Sequence, residues 1–145
     1  MKKFTLLFAV MCLTLAASAQ DQGTFRAQAG LEYGGDTEFG INGGVQYFVA
    51  DNIAIAPSYS IFLKDFGGIK FSSLNLEGRY YFNEGIYGLA GFDILRASAN
   101  GASISNSELA VGAGYDLSLS DGTLLNLQAK YADQIVLGAG VIFSF

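Results

Sequence analysis

A two-residue alternation of apolar with small or polar side chains runs through nearly the whole chain. The final segment is the clearest case. One phase holds Ile135, Leu137, Ala139, Val141, Phe143 and Phe145, and the other holds Gln134, Val136, Gly138, Gly140, Ile142 and Ser144. Successive side chains of a β-strand point to opposite faces, so this period predicts strands whose two faces meet different surroundings.

Seven similar segments precede the last one, which predicts about eight antiparallel strands. Their apolar phases span Phe25–Tyr33, Phe39–Tyr47, Ile53–Leu63, Leu74–Phe82, Ile86–Ile94, Leu109–Leu117 and Leu125–Tyr131. Tight-turn residues such as Asp51-Asn52 and Ser120-Asp121-Gly122 separate them. We expect Ala97–Asn106 to be the one longer loop. Pro57 falls within the third strand, where its missing N–H predicts a bulge or a different strand boundary.

Residues 1–19 have the layout of a cleaved secretory signal peptide. A basic start is followed by an apolar run from Phe4 to Ala17 and by the small-residue site Ala17-Ser18-Ala19. That run is too short for a membrane-spanning helix, which needs about 20 residues. Cys12 lies inside it and follows a methionine, whereas a lipoprotein signal requires a small residue there. We therefore expect one domain over residues 20–145, with no cysteine chemistry.

Alternation alone does not say which phase faces inward, because soluble barrels bury the apolar phase and membrane barrels expose it. The polar phase here is mostly Gly, Ala, Ser, Asn and Gln, with fewer charges than the roughly 25–35% typical of a soluble surface. Its charges, three bases and five acids, are Arg26, Glu32, Glu77, Arg79, Asp93, Glu108, Asp116 and Lys130. Buried charges need partners, so this set predicts a paired network inside a barrel lumen.

The apolar phase has the character of a lipid-facing surface. Its mid-strand positions carry no charge, and Lys70, Arg96 and Asp133 continue it only at the expected outer ends of strands. Aromatic residues on this phase gather toward strand ends, as the two interfacial girdles of a membrane barrel require. These features favour a closed, all-β, up-and-down transmembrane barrel.

The alternating last strand ends in Phe145, with Phe143 two residues before it. This ending resembles the signal read by the outer-membrane barrel assembly machinery. Nearly all of residues 21–145 resembles the small eight-stranded outer-membrane barrels of the OmpA and OmpX type. The resemblance implies export to the outer membrane of a Gram-negative cell, with membrane lipid and the assembly machinery as partners. We expect a monomer.

No residue set in the sequence points to a reaction. Outer-membrane barrel enzymes resemble one another in relying on a histidine, and this chain has none. Asp93 with Glu108 could form a catalytic acid pair, but we favour a structural role for such a pair. We predict no enzymatic activity, no cofactor and no metal site. Without Lys2 and Lys3, 6 basic residues face 13 acidic ones, and a net charge of −7 disfavours nucleic-acid binding.

Several functions therefore stay open. The leading hypothesis is a non-enzymatic outer-membrane barrel with a structural or surface-interaction role. A narrow pore for ions or very small solutes is the second, because eight strands leave an interior that side chains nearly fill. Adhesion is the third, weakened by the modest length of Ala97–Asn106. A soluble secreted lipid-binding barrel is the fourth.

Overall fold

The computed structural model describes residues 23–34, 38–64, 67–82 and 85–145, and within them the chain forms eight β-strands. Their bounds are β1 Phe25–Gly34, β2 Glu38–Ala50, β3 Ile53–Phe62, β4 Lys70–Tyr81, β5 Ile86–Ala99, β6 Ala102–Ser120, β7 Thr123–Ala132 and β8 Gln134–Ser144. The predicted signal peptide, residues 1–19, lies outside the described residues.

The strands close into one barrel in chain order, each antiparallel to its neighbours. Closure is made by β1 and β8, which pair from Arg26↔Ser144 to Gly34↔Val136. The predicted closed up-and-down barrel is confirmed. We call the end with Phe25 and Phe145 the inner end and the opposite end the outer end. Among the described residues, no helix is long and apolar enough to cross a membrane.

The exposure of the two faces of the barrel wall shows which phase of the alternation points inward. Large apolar side chains point away from the barrel and are about half exposed, for example Ile41, Leu76, Phe92 and Leu127. The lumen instead buries polar and charged side chains, including Glu77 and Arg79, each 2% exposed. A soluble barrel requires the reverse arrangement, so the lipid-binding soluble alternative does not fit this wall.

The expected long loop at Ala97–Asn106 is wrong, because these residues form the upper part of a hairpin. β5 continues to Ala99 and β6 starts at Ala102, with Asn100 and Gly101 as the two-residue turn. Both turn residues have positive φ, 49° and 80°. Asn-Gly favours this backbone because both residues tolerate positive φ in a tight hairpin. The small and polar residues on both sides of the turn are typical of a loop, and they led us to overlook the Asn100-Gly101 turn signal.

This β5–β6 hairpin rises above its neighbour on one side. Pairing between β6 and β7 stops at Val111↔Tyr131, whereas β6 continues to pair with β5 up to Ala99↔Ala102. The segment Ala102–Ala110 is therefore an edge of the projecting part. Ile104, on the inward-facing phase, is 77% exposed there. Ala97–Asn106, whose modest length as a loop weakened the adhesion hypothesis, is thus part of a projecting pair of strands.

Pro57 lies in the middle of β3 without the predicted bulge or altered boundary. The β3–β4 ladder is continuous through Pro57↔Leu76. On the other side, β2 and β3 pair at Gly44↔Ser58 and again at Tyr47↔Ile55 in the same register. The residue pairs between these two are missing, so the ladder skips the stretch where proline cannot donate a hydrogen bond.

Replacing Gly101 by valine should loosen the hairpin tip. A β-branched residue at φ 80° is strained by about 1 kcal/mol or more. Amide exchange at Ser98 and Ser103, which pair below the turn, should then speed up at least about fivefold. Asn100→Asp is the control, because aspartate tolerates positive φ. Unchanged exchange in Gly101→Val would contradict the turn assignment.

Candidate functional site: the lumen

Inward-facing glycines make room for the large side chains of the lumen. A Cβ placed on Gly114 would overlap the ring of Tyr87, and one placed on Gly112 would overlap the backbone next to Lys130. Gly30 and Gly140 face each other across the β1–β8 seam, where each approaches the other's backbone. At Gly114 the missing side chain leaves room for the ring of Tyr87 on the next strand, whereas at the seam two glycines lie opposite each other and let the backbones approach closely.

Glu77 is the centre of the lumen network and contacts two cations. Its Oε2 accepts a hydrogen bond from Arg79 Nη2 at 3.0 Å, and its Oε1 lies 3.3 Å from Lys130 Nζ. Lys130 Nζ is also 2.9 Å from Asp93 Oδ2. Gln128 donates to Glu77 Oε1 at 3.3 Å. The cluster joins β4, β5 and β7 across the lumen.

A second group surrounds Asp116 near the inner end. Tyr81 donates its hydroxyl proton to Asp116 Oδ2 at 2.8 Å, and Asn126 Nδ2 donates to Oδ1 at 2.6 Å. Arg26 Nη1 lies 3.7 Å from Asp116 Oδ2, and the Arg26 guanidinium stacks 4.7 Å from the centre of the Phe48 ring. One acid is matched by one base at this end.

Tyr87 links the two groups. It donates to Gln128 Oε1 at 2.9 Å and accepts from Asn126 Nδ2 at 2.7 Å. The Arg79 guanidinium lies 5.0 Å from the centre of its ring. Through these contacts a continuous chain of side chains runs from Arg26 at the inner end to Asp93 toward the outer end.

Glu32 and Glu108 stand apart from this chain of contacts. Glu32 Oε2 accepts from Ser60 Oγ at 2.8 Å, in a cluster of serines and asparagines on β2, β3 and β4. Glu108 is only partly buried and accepts from Asn106 Nδ2 at 3.0 Å. It lies directly opposite Asp93 in the β5–β6 register.

In the structure, ion pairs therefore join six of the eight charged residues that were predicted to lie in the lumen. They are Arg26, Glu77, Arg79, Asp93, Asp116 and Lys130. Phe143 and Phe145 form the predicted assembly signal. Both side chains are exposed, Phe143 near the inner end of β8 and Phe145 directly after that strand. The Phe145 ring centre lies 6.3 Å from that of Phe25, which is buried.

Sequence analysis missed the uncharged members of the network. Gln46, Tyr81, Tyr87, Asn126 and Gln128 all lie on the inward phase of their strands. Their position on the inward phase is the sequence signal that could have identified them as lumen residues. Which strand each would reach depends on the stagger of the barrel, which local alternation does not encode.

The arrangement cross-links and fills the lumen. Among the residues that the structure describes, no group of three or more His, Cys, Asp or Glu side chains could hold a metal ion. Asp93 and Glu108 are neighbours across two strands, but Asp93 is already engaged by Lys130. The geometry supports a structural role for the ion pairs, since buried charges require such partners.

Gly114→Ala should destabilise the barrel by about 1–3 kcal/mol, because the added methyl group overlaps the Tyr87 ring in a filled lumen. Gly43→Ala is the matched control on the outward phase, where the nearest atom to a new Cβ is 4.0 Å away. Chemical unfolding followed by gel mobility measures both. Equal stability of the two variants would show that the lumen is less tightly filled than the structure indicates.

Comparisons with known proteins bear on the fold. Neither a family model nor a curated protein matches the sequence. Solved structures do match. The N-terminal β-barrel domain of Pseudomonas aeruginosa OprF is 17% identical, with TM-score 0.72, covering 86% of this chain and 98% of that one.

Two further structures agree. Neisserial surface protein A is 16% identical, with TM-score 0.60, over 84% of this chain and 96% of that one. The Yersinia pestis outer membrane protein Ail is also 16% identical with TM-score 0.60, over 84% and 99%. The chain has the fold of these eight-stranded transmembrane barrels. Identities this low support the fold and leave the role to be argued from the residues.

Proposed function

We propose that this chain is a non-enzymatic integral outer-membrane barrel whose wall serves a structural role and whose β5–β6 hairpin contacts partners outside the cell. The observation that carries the proposal is the inside-out wall, with apolar side chains exposed around it and ion pairs buried within. The three matched proteins are barrels of the same size, and two of them are named as outer-membrane or surface proteins.

The surface-interaction part rests on the hairpin. Its edge, Ala102–Ala110, is a paired strand with one free side, and Glu108 is its single charged residue. Exposed edges of this kind can add an extended strand from another chain. The outer end also carries Lys70 and Arg96 on the outward phase, both exposed, where charged groups reach water beside the lipid.

Envelope fractionation with heat-modifiable gel mobility tests the location and the closed barrel together. The protein should stay in the detergent-extracted envelope after a salt wash, and the unheated protein should migrate differently from the boiled protein. Recovery in the salt-washed soluble fraction would overturn the membrane assignment. A hydrolase or transferase activity in the purified protein, lost on changing lumen acids, would overturn the non-enzymatic assignment.

A depth-dependent substitution tests the lipid-facing wall directly. Leu127 is 48% exposed in the middle of β7, and Leu119 is exposed near the inner end of β6. Leu127→Arg should cost about 2–4 kcal/mol in a bilayer, and Leu119→Arg about 0–1 kcal/mol. Denaturant unfolding from lipid vesicles measures both. In a wall that faced water the two variants would behave alike.

A narrow pore is the second candidate. It is favoured by buried lumen atoms, Gln28 Oε1 and Arg79 Nη1 among them, that have no hydrogen-bond partner within the described part of the chain. Such atoms usually bind water. The contact of Glu77 with Lys130 nevertheless joins β4 to β7 across the lumen. Planar-bilayer recordings should therefore show no regular conductance steps, and reproducible steps would favour the pore.

A further inference from the structure

The outward face of β4 and β5 carries four polar side chains close together at its outer end. Lys70 lies opposite Ser98, and Ser72 lies opposite Arg96. The two bases therefore occupy one diagonal of a square, at a separation of about 7–8 Å, and the two serines occupy the other. We call these four residues the basic square. All four side chains can donate hydrogen bonds, so together they suit one group with several acceptor oxygens.

The positive charge of the basic square has no acidic counterpart on this face of the wall. Within β3 to β6 the acidic residues all lie on the inward phase, and they are Glu77, Asp93, Glu108 and Asp116. Arg96 Nη2 donates to Ser103 Oγ at 3.2 Å, a neutral acceptor. Of the bases within the eight described strands, Lys70 and Arg96 alone lie on the outward phase. An anionic group at the membrane surface is therefore attracted to this sector of the barrel.

An apolar track continues from the basic square toward the inner end of the same two strands. Its first part consists of four exposed side chains, Leu74, Leu76, Phe92 and Ile94. Beyond them lies a groove of about 350 Å³, where Gly78, Gly88 and Ala90 replace large side chains. Ile53 and Tyr80 also line this groove. A polar site and an apolar groove thus lie on one continuous face.

The distance between the basic square and the groove matches one leaflet of a bilayer. Arg96 and Ala90 are six residues apart on β5, which corresponds to about 20 Å at roughly 3.3 Å per residue. A strand tilt of about 40° reduces this to a depth of about 15 Å, half of the roughly 30 Å hydrocarbon core. A lipid whose headgroup lies at the basic square therefore has its chain ends at the groove.

We propose that this face binds a lipid of the outer leaflet whose headgroup carries a phosphate monoester. The inference rests on the membrane location proposed above. The two bases and two serines complement the negative charge and the three terminal oxygens of such a phosphate. An acyl chain lies along the apolar track and ends in the groove. A zwitterionic headgroup binds less well, because it brings a cation next to the two bases.

The test uses the absence of tryptophan from the chain, since one introduced tryptophan then reports from one place. Ile94→Trp places it two residues from Arg96, and Leu137→Trp places it on β8, whose outward phase carries no base. Both proteins are folded into phosphatidylcholine vesicles with a minor fraction of phosphatidic acid brominated in its acyl chains. Quenching in Ile94→Trp should indicate at least about fivefold enrichment of phosphatidic acid over the bulk membrane, and Leu137→Trp should show none.

Further variants assign the enrichment to the basic square and the groove. Adding Lys70→Gln and Arg96→Gln to the Ile94→Trp protein should abolish it, with heat-modifiable mobility unchanged. Ala90→Leu fills the groove and should lower the enrichment at least about twofold. Brominated phosphatidylglycerol, whose phosphate is a diester, should be enriched less than phosphatidic acid. Excess inorganic phosphate should leave the quenching unchanged, because the free ion has no acyl chain.

Several results would overturn the proposal. They are equal enrichment in Leu137→Trp, equal enrichment of phosphatidylglycerol, full enrichment without the two bases or with the groove filled, and reversal by inorganic phosphate. Insertion into the vesicles without enrichment would overturn this inference alone. A protein that failed to insert would overturn the membrane assignment and this inference with it.

Discussion

Closing eight strands into a ring leaves an interior only wide enough for side chains, and this limit governs the rest of the molecule. Every inward-facing position must either be small or fit against a small neighbour. Tyr87 occupies the space that a Gly114 side chain would need, and Lys130 packs beside Gly112. The abundance of glycine follows from this geometry, because most of these inward glycines do not need unusual backbone angles.

The same limit explains why the lumen charges bind one another. Water has little room inside the lumen, so a buried carboxylate must find its counter-charge among the other lumen side chains, on its own strand or on another. Glu77 finds two, and Asp116 finds one together with a tyrosine hydroxyl. Such pairs add little net stability compared with apolar packing. The ion pairs between different strands do make a change in strand stagger unfavourable, because that change would separate two charges that are both buried.

Strand number, strand faces and closure could be read from the sequence, because the two-residue period is local. The identity of the inward phase was also readable, since that phase is small and its charges have both signs. The partners within the lumen were not. Glu77 reaches Lys130 across 53 positions, a distance set by barrel stagger. The β5–β6 hairpin was misread because serine and alanine dominate it, although Asn100-Gly101 was a usable turn signal.

Unequal strand lengths also shape the outer end of the barrel. β6 continues nine residues beyond its last pairing with β7, about 30 Å of strand at roughly 3.3 Å per residue. Immediately beside it, β7 and β8 are joined low down by Asp133 alone. The outer rim of the barrel is thus high at the β5–β6 hairpin and low at the neighbouring β7–β8 turn. The lumen is therefore shielded on the side of the β5–β6 hairpin and open at a lower level beside the β7–β8 turn.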